Sequence, residues 1–277
     1  MLTILLSTLL VASAQLEALK ADWAAGRPTR PFLVTQVIEP CRGGEVKKLA
    51  VCIGGSGETL DSIYASQGRH FAAAGYRVLM VENPPDDIAR ICLERGSSWL
   101  YYGRDALVPL IDSFTQGRGH SCPRSPIVWS GFSLGTELMM ATASVCARPG
   151  DSFVYNDFLC RCKERLIVLK YEPNGLRNIT PSYYEEGDFP ERMAKLAKLG
   201  RVIFTEGGLV RDLELVKSAA PENVTYFQQP KFAAAPNETL IAPPSSMDVS
   251  AYFDACNVDP ANHYYKWELV EPWLNSK

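Results

Sequence analysis

The chain has 277 residues, 47% of them hydrophobic, which is ample for one sizeable core and normal for a single α/β domain, so no second domain is required. With 28 Lys and Arg against 31 Asp and Glu, the formal net charge is -3 and no basic run exceeds Lys47-Lys48. Such a balance leaves no cationic face to neutralise phosphates, which excludes nucleic acid as an expected partner.

The first fourteen residues, MLTILLSTLLVASA, carry no charge, are apolar from Leu2 to Ala12 and end in the small-residue pattern Ala12-Ser13-Ala14. They predict a secretory signal peptide over residues 1–14 ahead of a domain over residues 15–277, and a secreted or periplasmic location. Neither this run nor any later one is long enough to cross a bilayer, so no integral membrane segment is expected once it is removed. Eight cysteines (Cys41, Cys52, Cys92, Cys122, Cys146, Cys160, Cys162 and Cys256) fit an oxidising compartment with some disulfides. None of their spacings makes a zinc site, and Cys52 and Cys146 lie in apolar stretches where a buried thiol is equally at home. The sequons at Asn178, Asn223 and Asn237 would carry glycan only on a eukaryotic secretory route.

After a weakly amphipathic lead-in over 15–27, Phe32 to Ile38 is rich in strand formers and reads as an edge strand. Lys48 to Ile53 is the next strand. It runs into Gly54-Gly55-Ser56-Gly57, after which Glu58-Thr59-Leu60 opens a helix closing at Gly75. As a dinucleotide cradle this glycine loop has the wrong spacing. Tyr76 to Val81 is a strand, and Ser98 to Phe114 a helix that Pro109 should kink or restart. Ile127-Val128-Trp129 then stops at Gly131-Phe132-Ser133-Leu134-Gly135, and a helix follows with Leu134, Leu138, Ala141 and Val145 at helical spacing up to Pro149-Gly150. Arg165 to Tyr171 and Arg201 to Thr205 read as two further strands, separated by a helix over Pro190 to Leu199 that Gly200 ends. Val224 to Phe227 is the last strand. The proline-punctuated segment from Gln229 to Asn262 is long enough to be functional. Apolar strands alternating with amphipathic helices predict a mostly parallel sheet covered on both faces, with only a minimal cap between the sixth and seventh strands.

Strand, glycine-flanked serine and helix in that order resemble the nucleophile elbow of the α/β-hydrolases, whose order of elements the chain follows over nearly its whole length. The resemblance implies a serine nucleophile, Ser133, exposed on a strained turn, with Leu134 N–H as one oxyanion donor. It also implies that the glycine loop supplies the other donor, for which Ser56 is the choice and Gly55 its neighbour; these relatives often carry His-Gly where this chain has Gly54-Gly55. A serine hydroxyl needs an imidazole base held by a carboxylate. In this family the order is serine, acid, histidine. Of the three histidines that order leaves His263, because His70 and His120 precede the elbow. Asp212 is the acid expected after the seventh strand, with Glu206 its competitor and Glu172, after the sixth, a distant third. No cofactor and no metal is expected. The implied activity is hydrolysis of a small-molecule or lipid-like carboxylic or thiol ester through an acyl-enzyme. An acyltransferase using the same triad, or a catalytically silent hydrolase-like binding or secretion-associated protein, are the alternatives. Neither the substrate nor the oligomeric state follows from the sequence.

Overall fold

Lys48–Ile53 reads KLAVCI, and its last five residues are all buried; Ile127–Phe132 is buried throughout. Strands that bury both faces belong in the interior of a sheet with helices on either side. The computed structural model, which describes residues 17–18, 21–22, 25, 33–41, 48–55, 60, 65–82, 99–116, 125–132, 135–156, 189–204, 218–226 and 267–276, has that arrangement. The strands are β1 (Thr35–Ile38), β2 (Lys48–Ile53), β3 (Tyr76–Val81), β4 (Ile127–Phe132), β5 (Ser152–Asn156), β6 (Val202–Phe204) and β7 (Val224–Tyr226), and the helices are α1 (Ala65–Ala73), α2 (Trp99–Gln116), α3 (Gly135–Cys146), α4 (Phe189–Leu199) and α5 (Trp267–Asn275). The sheet has seven strands in the order β1-β3-β2-β4-β5-β6-β7. Only the edge strand β1 is antiparallel to its neighbour; from β3 to β7 all pairs are parallel.

Alternate residues of each strand serve two cores. Val51, Ile53, Trp129 and Tyr155 face α2, α3 and α4 through Leu107, Ile111, Leu138 and Leu196. Ala50, Cys52, Val78, Val154 and Ile203 face α1 and α5 through Phe71, Ala72, Val270 and Trp273. Each large apolar side chain fully buried in this way contributes roughly 1.5–3 kcal/mol.

The structure differs from the sequence reading at several points. α1 is described over Ala65–Ala73; Glu58, the expected start of that helix, lies outside the described residues, and Leu60 is in a turn. α2 continues through Pro109 as one helix: the proline is on the exposed face, while Leu107, Ile111 and Phe114 bury on both sides of it and hold the helix to the sheet. α3 is buried along Gly135 to Ala143, not along one stripe, and Val145, expected on the apolar face, is exposed. Ser152–Asn156, to which the sequence reading assigns no element, is the strand that pairs with both β4 and β6. The expected strand Arg165 to Tyr171 lies outside the described residues, as does the segment from Gln229 to Asn262. The interval before β6 therefore runs from Asp157 to Arg201 and includes α4. Cys52 is a buried thiol whose pKa burial pushes up, and Cys146 donates its S–H to the Thr142 carbonyl; among the described residues no disulfide is found. No helix among them is long and apolar enough to cross a membrane.

One buried carboxylate ties the base of the sheet together. Asp151, between α3 and β5, accepts the Ile127 N–H at 2.9 Å through Oδ1, and through Oδ2 the Trp129 indole N–H at 2.9 Å and the Arg148 N–H at 3.2 Å. Replacing it by alanine strands two buried donors on the strand that leads to Ser133. Asp151→Ala should lose about 3 kcal/mol or more in urea unfolding. Asp151→Asn, which keeps one acceptor oxygen, should fall between it and the wild type; equal stability of all three would show that these bonds do not hold β4.

Candidate active site

β4 passes into α3 with only Ser133 and Leu134 between them. A chain that turns from strand to helix so quickly folds its own backbone close, and the two flanking glycines mark where. A Cβ on Gly131 would lie 2.7 Å from Thr136 Cα, 2.8 Å from Thr136 N and 2.9 Å from the Gly135 carbonyl oxygen. A Cβ on Gly135 would run into the carbonyl oxygens of Ile53 and Gly54. These approaches, shorter than side chains tolerate, are what a nucleophile elbow requires of its glycines.

The second contact also places the glycine loop. Gly135 begins α3 against the end of β2, where Ile53 stands in register with Gly131 and Gly54 donates its N–H to the Val81 carbonyl at 3.1 Å. Gly54 and Gly55 are both buried there. The first turn of α3, the positive end of its dipole, thus lies beside the buried backbone with which β2 ends. An oxyanion is the ligand such an arrangement suits.

Because β2 and β4 to β7 are parallel, the chain leaves them all at one edge of the sheet: at Gly54, at Ser133, and after Phe204 and Tyr226 in the segments that carry Asp212 and His263. Ser133, Leu134, Ser56, Asp212, Glu206, Glu172, His263 and His120 lie outside the described residues, and of the expected site residues Gly55 is within them. The basis for Glu172 is removed, however. The strand between β4 and β6 is β5, which ends at Asn156 opposite Phe132, and the carboxylate that follows it in the sequence is Asp157. The signal missed was the turn Pro149-Gly150-Asp151 followed at once by the strand formers Phe153, Val154 and Tyr155.

Other side chains of the right chemical type are scaffold. Ser130 is fully buried in β4, and its hydroxyl accepts the Gln67 amide N–H at 2.8 Å. His70 is buried in α1 and stacks on Trp267, ring centroids 5.0 Å apart and planes at 24°. The buried Cys52 has its thiol pKa raised, the opposite of what an attacking thiolate needs. Among the described residues no cluster of His, Cys, Asp and Glu is arranged to hold a metal ion.

The chain beyond His263 is firmly returned to the body. Trp267, at the start of α5, packs edge-on against Phe71 at 4.8 Å as well as against His70. At the other end Arg201 donates to the Trp273 carbonyl and, at 2.9 Å, to the Ser276 carbonyl, with its guanidinium 4.4 Å from the Trp273 ring centre. A cation on the last carbonyls of a helix satisfies them and meets the negative end of its dipole. Trp273 in turn donates its indole N–H to Thr225 of β7 at 3.2 Å.

The fold so described resembles several solved structures at low identity. Est1E from Butyrivibrio proteoclasticus is 13% identical, with 70% of this chain and 83% of that one covered and a TM-score of 0.47. TT1662 from Thermus thermophilus is 15% identical, covering 71% and 84%, with a TM-score of 0.46. The dienelactone hydrolase from Anabaena variabilis is 13% identical, covering 70% and 76%, with a TM-score of 0.38. No curated protein matches the chain in sequence. The sequence does match the Abhydrolase family over residues 47–276, a span that takes in β2, the glycine loop, the elbow and α5. The chain belongs to that family and so to the α/β-hydrolase superfamily.

Proposed function

We propose that the protein is a secreted serine hydrolase that cleaves a carboxylic or thiol ester through an acyl-enzyme on Ser133. The observation that carries this reading is the pair of glycines with no room for a side chain, Gly131 and Gly135, on either side of a serine at the strand-to-helix junction. Family membership supports hydrolase chemistry. Export is supported by the apolar residues 1–14 with their small-residue end.

In this mechanism Ser133 attacks the acyl carbonyl while His263 takes its proton. The developing oxyanion is met by N–H groups of Leu134 and of the loop at Gly55 and Ser56. His263 then protonates the leaving alcohol or thiol, and water activated by the same imidazole releases the acyl group. Asp212, after β6, orients the imidazole; Glu206 is its neighbour in the same segment, and Asp157 is the carboxylate that follows β5. An acyltransferase would share every step except the last, in which an alcohol acceptor replaces water.

Ser133→Ala should abolish labelling by a fluorophosphonate probe and hydrolysis of p-nitrophenyl esters with the melting temperature unchanged. Retained labelling would move the nucleophile elsewhere and leave a silent, partner-binding domain as the better reading.

The histidines should separate cleanly. His263→Ala should lower kcat/KM on the order of 10³-fold or more, through loss of the base. His70→Ala should instead lower thermal stability, through the lost stacking on Trp267, while activity per labelled serine stays within a few-fold of wild type. The reverse pattern would contradict the assignment. The same assay on Asp212→Asn and Asp157→Asn identifies the acid as the one whose loss matches that of His263→Ala.

A further inference from the structure

Of the three acceptor sequons, Asn223-Val224-Thr225 is the one that lies within the described residues. An acceptor sequon belongs in a surface loop, where an enzyme can draw it out as a free strand. This one ends a short 3-10 helix (Pro221–Asn223) and runs on into β7, with Val224 and Thr225 paired to Val202 and Ile203 of β6.

Both side chains that define the motif have partners on other elements. Asn223 is half-buried and donates an Nδ2 proton at 2.8 Å to the Ala197 carbonyl, in the last turn of α4, where carbonyls have no partner within the helix. Thr225, also half-buried, accepts the Trp273 indole N–H of α5 on Oγ1 at 3.2 Å. Val224 between them packs against the core that Leu196 and Ala197 enter. One residue of the motif thus holds α4 and the other α5, which cover opposite faces of the sheet.

Glycan transfer makes demands that this arrangement refuses. Nδ2 must form the bond to the anomeric carbon of an oligosaccharide carried on a lipid pyrophosphate; it gives up one of its two protons, the C–O bond breaks, and the lipid pyrophosphate leaves. The threonine hydroxyl must be open to the enzyme, since it is what distinguishes an acceptor from any other asparagine. In the folded chain Ala197 holds an Nδ2 proton, Trp273 occupies the hydroxyl, and β6 holds the backbone between them. Releasing the three residues means taking β7 out of the sheet and breaking both side-chain bonds, so access follows an opening equilibrium. Because Trp273 follows the motif in the chain, Thr225 gains its partner after β6 and α4 are already made.

We propose that Asn223 accepts N-linked glycan in the unfolded chain alone: the fold closes the sequon, and glycan at Asn223 marks a chain that met the transferase before β7 joined the sheet. The proposal is independent of which residue is the nucleophile.

The test offers purified oligosaccharyltransferase with its lipid-linked oligosaccharide two substrates, a synthetic peptide of residues 219–229 and the folded chain. Glycan at Asn223 is mapped by tandem mass spectrometry, which separates it from Asn178 and Asn237. The peptide should be modified, and the folded chain at least about a hundredfold more slowly. In Trp273→Ala, which removes the donor to Thr225 and loosens α5, the rate should rise by the same factor as the unfolding equilibrium constant measured in urea, to within about threefold; a variant that does not fold should match the peptide. A folded wild-type chain modified within about threefold of the peptide overturns the proposal. So does a peptide that takes no glycan, since the sequence and not the fold would then be the obstacle. A Trp273→Ala chain that urea shows to be destabilised, yet that is modified no faster than wild type, overturns it as well, because opening would then not be the route.

Discussion

A single methyl group at residue 135 would have to occupy the space already filled by the carbonyl oxygens of Ile53 and Gly54. That exclusion is the constraint on which the rest of the molecule depends. It brings the first turn of α3 into contact with the end of β2, where the chain enters Gly54 and Gly55. The sheet enforces the approach from below: β2 and β4 pair in parallel from Leu49 with Ile127 to Ile53 with Gly131, which fixes the height at which both strands end. Packing interiors resist strain, so a register held by buried residues on both faces transmits that height to the turns above it.

The edge of the sheet opposite the proposed site is secured by charged side chains as well as by a glycine, Gly200, whose missing side chain leaves room for the Asp151 carbonyl. Asp151 gathers the N–H groups of Ile127, Arg148 and the Trp129 indole where β4 and β5 begin. Arg201, just ahead of β6, grips the end of α5. These polar groups are stabilising only because they are satisfied, since a buried donor or acceptor without a partner costs more than the bond returns. The division is a physical one. Directional polar clamps hold the edge where the strands start, and loops are free to carry chemistry at the edge where they end.

Much of this was legible in the sequence because the signals were long or rigid. Lys48–Ile53 and Tyr76–Val81 were found to the residue, since apolar runs between turn signals leave few alternatives. The elbow was legible because two glycines at fixed offsets from a serine carry a backbone requirement and not merely a composition. Ser152–Asn156 was not, because three apolar residues after Pro149-Gly150-Asp151 are too few to outweigh a turn, and only pairing with β4 on one side and β6 on the other makes them a strand. The same tertiary override carried α2 through Pro109 and buried α3 along Gly135 to Ala143. The acid expected of a triad was the least legible residue. A lone aspartate after a strand looks the same whether it caps a helix, meets solvent or orients an imidazole, and the missed strand β5 makes Asp157, not Glu172, the carboxylate that follows the strand between β4 and β6.

Residue type alone would have misassigned the site, and the scaffold shows why. Ser130 and Ser133 occupy the same short run, yet Ser130 is sealed in the sheet with its hydroxyl bound to Gln67, where it can neither meet a substrate nor lose a proton to a base. His70 is as good an imidazole as His263, but it is buried in α1 with its ring laid against Trp267, and a ring in that setting serves packing. Cys52 is intrinsically the better nucleophile, and burial raises its pKa and removes the thiolate that would make it one. In each case the residue with matching chemistry sits inside a core, whereas the residue assigned to the reaction belongs to a segment that leaves the sheet where β2, β4, β6 and β7 all end. What separates the two sets is the edge of the sheet, and the glycines at 131 and 135 are what lets the chain turn from β4 into α3 there within two residues.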